Sequence, residues 1–210
     1  MTISGILDRI RVLLQDPTGI RWTDQEILNS IAEGQQFIAN VRPDSTSSVI
    51  DVTVTANSYL VTLPTTARRL LDVLGTSTGA TVTSVEMGVL DRHAPNWRTE
   101  TGDSIRHFIY EDRDPSRLYV YPMPTAPIVL RALVSANPPD TVSLVGNLSI
   151  DSSFVGALVD LATSRALEKE SAAASVNKSV QFKQSALDRL KILSGADASN
   201  SPAANEGQQK

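Results

Sequence analysis

The chain has 210 residues, 41% hydrophobic and 20% charged, with aromatics at only 5%. That composition supports a packed, mostly aliphatic core and excludes wholesale disorder. A net charge of −4 with a pI near 5.2 excludes the strongly basic class of nucleic-acid binder, and the absence of cysteine excludes disulfide frameworks, thiol catalysis and Cys-ligated zinc.

At this length the chain makes one large domain or two small intertwined ones. Its opening segment, MTISGILDRIRVLLQ, carries Arg9 and Arg11 inside the apolar pattern. That fits neither a signal peptide nor a membrane span. The expected setting is a cytoplasm, or a particle built there.

Ile3, Ile6, Leu7, Ile10, Leu13 and Leu14 recur at helical spacing and predict a first helix, capped by Thr2 and ended by Asp16-Pro17-Thr18-Gly19. The second helix has a complete start signal. Thr23 is the N-cap, Glu26 closes a capping box, and Trp22 and Ile27 hold the two positions of a hydrophobic staple. Ile27, Leu28, Ile31, Ile38 and Val41 give its buried stripe, and Arg42-Pro43 stops it.

After Pro43 the period changes to two. Ile50, Val52 and Val54 alternate with Asp51 and Thr53, Ala56-Asn57-Ser58 is a turn, and Tyr59–Leu63 reads as the return strand of a hairpin. Arg69–Thr76 and Thr81–Glu86 are weaker strands around Gly75 and Gly79, and Met87–His93 is a short helix. Ile105–Glu111 and Leu118–Tyr121 alternate on either side of a turn containing Asp114-Pro115, and Pro122 and Pro124 end the second of them. Ile128–Ser135 is one more strand, left at Asn137-Pro138-Pro139.

The last third returns to the helical period. Asp151 caps a helix running to about Ser171, with Phe154, Ala157, Leu158, Leu161 and Ala162 on one face. A further helix, from about Val176 to Leu193, carries Val180, Leu187, Leu190 and their neighbours, and Ser194-Gly195 is its C-cap. The remaining GADASNSPAANEGQQK has almost no apolar content and is expected to be an extended tail that orders on a partner. The expected fold is α+β. Residues 1–43 and 150–194 form a helical bundle of two N-terminal and two C-terminal helices. Residues 44–149 form a central antiparallel β insertion, and 195–210 the extended C-terminal tail.

Chemistry-bearing patterns are sparse. Neither histidine, His93 or His107, has metal-ligand spacing; His107 reads as a strand residue in a cross-strand pair. The cluster Glu111-Asp112-Arg113-Asp114 lacks calcium-loop spacing and reads as a solvated turn. Gly75–Gly79 lacks the Gly-Lys-Ser/Thr of a phosphate loop. The basic groups, Arg68-Arg69 and Arg92, His93, Arg98, lack interleaved aromatics and read as exposed faces or subunit contacts. Trp97 is either a core residue pinning the β insertion or an anchor between subunits. No catalytic, metal or cofactor site is expected.

One combination of segments is more telling. Trp22, Thr23, Glu26, Ile27 and Leu28 open the second helix, and Leu63-Pro64 follows the predicted return strand. Asn96, Trp97, Arg98, Glu100 and Gly102 precede a strand, and Leu118, Tyr119, Tyr121, Pro122 and Pro124 form Leu-Tyr-Val-Tyr-Pro-x-Pro. In this order the segments resemble the head-to-tail adaptor, or connector, proteins of tailed bacteriophages, the tail-tubular-protein-A-like families. Phe154, Ala157, Leu158, Ala166, Leu167 and Phe182 also look like that family's last two helices. The resemblance spans roughly residues 1–194. Asp103-Ser104 stands where a proline would be expected after Gly102, and the tail after Gly195 aligns with nothing.

The resemblance implies a structural virion protein without enzymatic activity or cofactor. It implies a ring, typically of twelve copies, that docks under the portal and presents the next tail component, the nozzle, with a platform. The genome leaves through its channel, and the mild acidity of this chain suits a wall that does not grip DNA. Implied partners are the portal protein, neighbouring adaptor subunits and the downstream tail protein. Candidate interface residues are Arg68, Arg69, Trp97 and Arg98, with Leu190, Leu193, Gly195, Asp197, Asn200, Pro202 and Gln208 at the C-terminal end, which is expected to reach the portal. The alternatives are another ring-forming tail part such as a tail terminator, a baseplate piece, a regulatory binding module, or a hydrolase using His93, Asp91 and Glu100.

Overall fold

A computed structural model of the chain describes residues 1–140, 142–169 and 173–200, without the side chains of 173–174 and 196–200. The chain opens with α1 (Ile3–Leu14) and α2 (Asp24–Val41). Strands β1 (Ser47–Val54), β2 (Leu60–Thr62), β3 (Ala67–Thr76) and β4 (Thr83–Ser84) follow, then α3 (Met87–His93). Next come β5 (Thr101–Gly102), β6 (His107–Tyr110), β7 (Arg117–Tyr121), β8 (Met123–Pro124) and β9 (Ile128–Ala136). The chain closes with α4 (Val155–Leu167) and α5 (Ala173–Asn200). This is an α+β chain. It divides into a helical unit, Met1–Ser45 with Pro138–Lys210, and a β unit, Thr46–Asn137.

In the helical unit α4 is the shared neighbour, with α1, α2 and α5 each packed on it. The core gathers Ile6, Ile10, Ile27, Ile31, Ile38 and Leu158, all fully buried. The start of α2 follows its sequence signal. The Glu26 backbone N–H donates to Thr23 Oγ1 at 3.3 Å and the Thr23 N–H donates to Glu26 Oε2 at 2.9 Å. Trp22 and Ile27 both enter the core, and the Trp22 Nε1–H reaches the Ala166 carbonyl at 2.9 Å, pinning the start of α2 to the end of α4. Thr2 precedes α1 without a side-chain cap, and Gln15, left-handed at φ 57°, ends it.

Several helical expectations are corrected. Leu13 and Val41, expected on the apolar stripes of α1 and α2, lie exposed, as does Val180 on α5. The inner face of α5 is instead Ser179, Phe182, Ala186, Leu190 and Leu193. Asp151 caps a 3-10 turn, Ser152–Phe154, that leads into α4, and α4 ends at Leu167 rather than near Ser171. Ser194-Gly195 is no C-cap, because α5 continues to Asn200. The expected extended tail is therefore helical over its first residues, and 201–210 lie outside the described residues.

The β unit holds three sheets. One, β1-β9-β3, has the longest strands and is antiparallel with β9 central, and a second, of four strands, is ordered β2-β7-β6-β4. The Val52, Val54, Leu70, Leu118, Val120 and Leu130 side chains share its main core. The expected β1–β2 hairpin does not form. The turn is real, with Asn57 left-handed at φ 55°, but β1 pairs with β9 from Ser47↔Ser135 to Val54↔Ile128, while β2 pairs with β7. An eight-residue ladder on the apolar β9 outweighs what the three-residue β2 offers. Nor is the insertion wholly antiparallel: the two-residue pairings β4–β6 and β5–β8 are parallel. The β3 strand is longer than expected and slips register three times against β9. Gly75 sits at the last slip at φ 131°, where a Cβ would lie 2.6 Å from the Ala80 carbonyl oxygen. At the base of the unit Thr46 Oγ1 donates to the Ala136 carbonyl at 2.9 Å and lies 2.9 Å from Ser135 Oγ.

Candidate functional site

The two carboxylates considered for a hydrolytic centre, Asp91 and Glu100, are each engaged by other side chains. Asp91, on α3, accepts from the Trp97 indole N–H at 2.8 Å and from Arg98 Nη1 at 2.8 Å. That indole N–H, with the guanidinium, holds the Asp91 carboxyl below the usual carboxylate range. Glu100 accepts from the Tyr121 hydroxyl at 2.9 Å, which in turn pushes the Tyr121 phenol up. His93 is exposed at the end of α3. His107 pairs across the ladder with Tyr121, stacks on its ring at 6.1 Å, and has Nδ1 2.7 Å from Thr83 Oγ1. Among the described residues, no group of three or more His, Asp or Glu side chains is placed to hold a metal ion.

The candidate interface residues fall into two sets, one in each unit. In the β unit Trp97 is 0% exposed, packed with Leu90 and Ile109 and boxed by Tyr59 and Tyr119 at 5.8 and 6.3 Å between ring centroids. It is a core residue that braces α3 against the β6–β7 ladder, not a surface anchor. Arg98 lies over its outer side, 4.3 Å from the ring centroid, and keeps its head at the surface. Arg68 and Arg69 are half-buried, and Arg69 pairs with Asp112 at 2.5 Å. In the helical unit Leu190 is buried on the inner face of α5. Leu193 is partly buried and lines a surface groove of about 240 Å³ with Gly156, Ala157, Arg189 and Ile192. Gly195 is exposed on α5. Asp197 and Asn200 lie on the last turns of α5, with side chains outside the described residues, as are Pro202 and Gln208 entirely.

The comparison with known families covers nearly all of this architecture. A family model described as SU10 adaptor protein matches residues 1–206. The chain belongs to the SU10 adaptor protein family. It is a structural protein of a tailed-bacteriophage virion, a head–tail adaptor at the junction of head and tail, where it meets other head and tail components. No curated protein matches it.

For an adaptor subunit the informative features are the ones that brace its helical unit, and the sequence reading missed the main one. Arg11, noted only as a charge inside an apolar stripe, is a buried polar hub. Its guanidinium donates to the Asp16 and Trp22 carbonyls at 3.1 and 3.3 Å and pairs with Asp24. Asp16 accepts from the Ile20, Arg21 and Trp22 backbone N–H groups at 3.0, 3.0 and 2.9 Å. The Trp22 N–H is the leading reason that the Asp16 carboxyl lies below its usual range. A buried cation among carbonyls and two carboxylates fixes the α1–α2 connection as one shape. The available signal was the pairing of an arginine on an apolar face with an Asp-Pro turn five residues later. A second brace joins α4 to α5, where the buried Asp160 accepts from Ser185 Oγ at 2.7 Å and Arg189 Nε at 2.9 Å. A third joins Lys169 to Glu26 at 2.6 Å, and the Lys169 ammonium, with the Thr23 N–H, lowers the Glu26 carboxyl to about 2.

Proposed function

We propose that this adaptor assembles as a ring, of twelve copies, between the portal of the filled capsid and the nozzle of the tail, and that its inner surface forms part of the channel through which the genome leaves. The observation that carries the reading is the family match from residue 1 to 206, which takes in the helical unit, the inserted β unit and α5 together. The mild net acidity supports a channel wall that makes few phosphate contacts and so does not slow ejection. Assembly takes place in the host cytoplasm, from subunits whose two units act as separate domains, and no catalysis is involved.

On this reading the C-terminal end reaches the portal. Leu193 and Gly195 begin the contact, and Asp197, Asn200, Pro202 and Gln208 continue it. Arg68, Arg69 and Arg98, the charged heads of the β unit, face a neighbouring subunit or the tail. Electron microscopy of the purified chain, with and without the portal of the same phage, tests this. A twelve-fold ring seated on the narrow end of the portal is the expected result. A chain that ignores the portal at all concentrations refutes the reading. Deleting 201–210, and separately 195–210, should abolish stable portal binding while far-UV circular dichroism stays native; unchanged binding removes the C-terminal end from the contact.

A further inference from the structure

The α1 and α5 helices both pack on α4 but make no comparable contact with each other, so each has an outward side. On α1 the residues opposite Ile3, Ile6, Ile10 and Leu14 are Gly5, Asp8 and Val12, and Val12 is 74% exposed. On α5, beside the face that packs on α4, run Val176, Val180, Lys183 and Leu187. Their steps of four, three and four are the spacing of a coiled-coil seam. Val176 and Val180 are 47% and 61% exposed and Leu187 is half-buried. Lys183 lines a groove of about 210 Å³ together with Gly34, Phe37 and Leu161 and with the charged Glu33, Arg165 and Glu168. The groove and this stripe together form a bed for one more helix.

Two features of these stripes are not used by direct contacts within the chain. The first is Gly5. A glycine inside a helix costs about 0.5–1 kcal/mol relative to alanine. A Cβ there would meet only Thr2 Oγ1, at an ordinary 3.4 Å, so intrachain packing does not demand glycine. The second is a pair of charges. Asp8 and Lys183 each sit in the middle of their stripe, and neither has a hydrogen-bond or ion-pair partner among the described residues. Gly5, Asp8 and Val12 match Val180, Lys183 and Leu187 in spacing, and the central charges are opposite.

We propose that α1 of one copy lies in the α2–α5 bed of the next. Asp8 faces Lys183, Gly5 lets the backbone close on Val180, and Val12 covers Leu187. The two halves of the contact are different surfaces of the same chain, so it repeats head to tail rather than making a two-fold dimer, and it closes a ring where the rotation per copy divides the full turn. The inference rests on the ring reading above and supplies its subunit contact. A three-turn helix in a groove covers less than the roughly 1,200 Å² of a standard stable interface. One such contact holds weakly, and a closed ring, in which every copy makes two, holds well.

The chain contains no cysteine, so thiols can be placed at will. A Gly5→Cys chain is mixed with a Val180→Cys chain of different mass, oxidised mildly, and separated under denaturing conditions. The mixed dimer is expected to exceed both same-chain dimers together by several-fold. Adding Lys183→Glu to the Val180→Cys chain should cut the mixed dimer several-fold, and adding Asp8→Lys to its partner should restore it. All four positions are at least partly exposed, and circular dichroism confirms that each variant is folded. Dimers in collision proportions, or a yield indifferent to the charge reversal, overturn the proposal. A ring seen on the portal without the preferred cross-link sinks this contact alone. The cross-link without any ring sinks the ring reading and leaves the contact standing.

Discussion

Trp22→Phe isolates one hydrogen bond and a strip of ring in the helical core. Trp22 is 2% exposed, and its Nε1–H reaches the Ala166 carbonyl at 2.9 Å. Phenylalanine keeps the apolar staple against Ile27 and removes the N–H. The Ala166 carbonyl also accepts from the Lys169 backbone N–H at 3.3 Å, so the acceptor is not stranded. The hydrogen bond is therefore worth about 1 kcal/mol, its ordinary net value. The lost part of the indole, roughly 40 Å² of buried surface at 25 cal/mol per Å², adds about 1 kcal/mol. A total near 2 kcal/mol, with a urea dependence of about 2 kcal/mol per M, lowers the unfolding midpoint by about 1 M. The two tryptophans make the assay specific, because Trp22 belongs to the helical unit and Trp97 to the β unit. In the variant Trp97 is the sole tryptophan and reports the β unit, while far-UV circular dichroism follows the helices. A helical midpoint within about 0.2 M of the parent refutes the reasoning, since neither the bond nor the ring would then hold α2 to α4.

Thr23→Ala removes the side-chain half of the capping box and should cost about 1 kcal/mol, read as a lower helical midpoint in urea. Glu26 gives a pH test. Its carboxyl is lowered from 4.5 to about 2, so its stabilising effect is complete above the unfolded value and is lost as pH falls from there towards 2. The Tm difference between the parent and Glu26→Gln should be constant near neutrality, shrink below pH 4.5 and vanish near pH 2; a difference that persists at pH 2 contradicts the Lys169 pairing. Gly75→Ala should destabilise the β unit by about 1–3 kcal/mol through its φ and the Ala80 carbonyl, seen as an earlier Trp97 fluorescence transition. An unchanged transition would mean that β3 accommodates a side chain at its bulge.

The sequence carried local decisions well and distant ones poorly. Thr23 and Glu26 declare a helix start by themselves, because both partners of the capping box lie within one turn. Asn57 declares a turn in the same way. What Asn57 cannot declare is which strand lies beside β1. That partner, β9, begins at Ile128 and is chosen by burial over the whole unit. The same limit explains Val180. A helical period identifies an apolar face, but α5 carries two adjacent ones, and only packing on α4 distinguishes Ala186 and Leu190 from Val176 and Val180. Gly195 was read as a stop because glycine commonly ends helices, yet α5 runs through it. For the site, the order of segments was enough to suggest the family. Arg11 and its carboxylates were invisible because a buried arginine on an apolar face looks like an interruption until its acceptors are folded around it.

The Thr46 hydroxyl, within reach of Ser135 and Ala136, joins the first and last strands of the β unit where the chain enters and leaves it. Ser47 and Ser135 are ladder partners, so the two crossings are one strand spacing apart, about 5 Å. A segment whose ends meet in this way behaves as a cassette. It can lengthen, shorten or be exchanged as a block while the helices on either side keep their spacing. Descent can therefore work on the two parts at different speeds: the helical frame can keep its core while the 92-residue cassette from Thr46 to Asn137 changes its loops and surface.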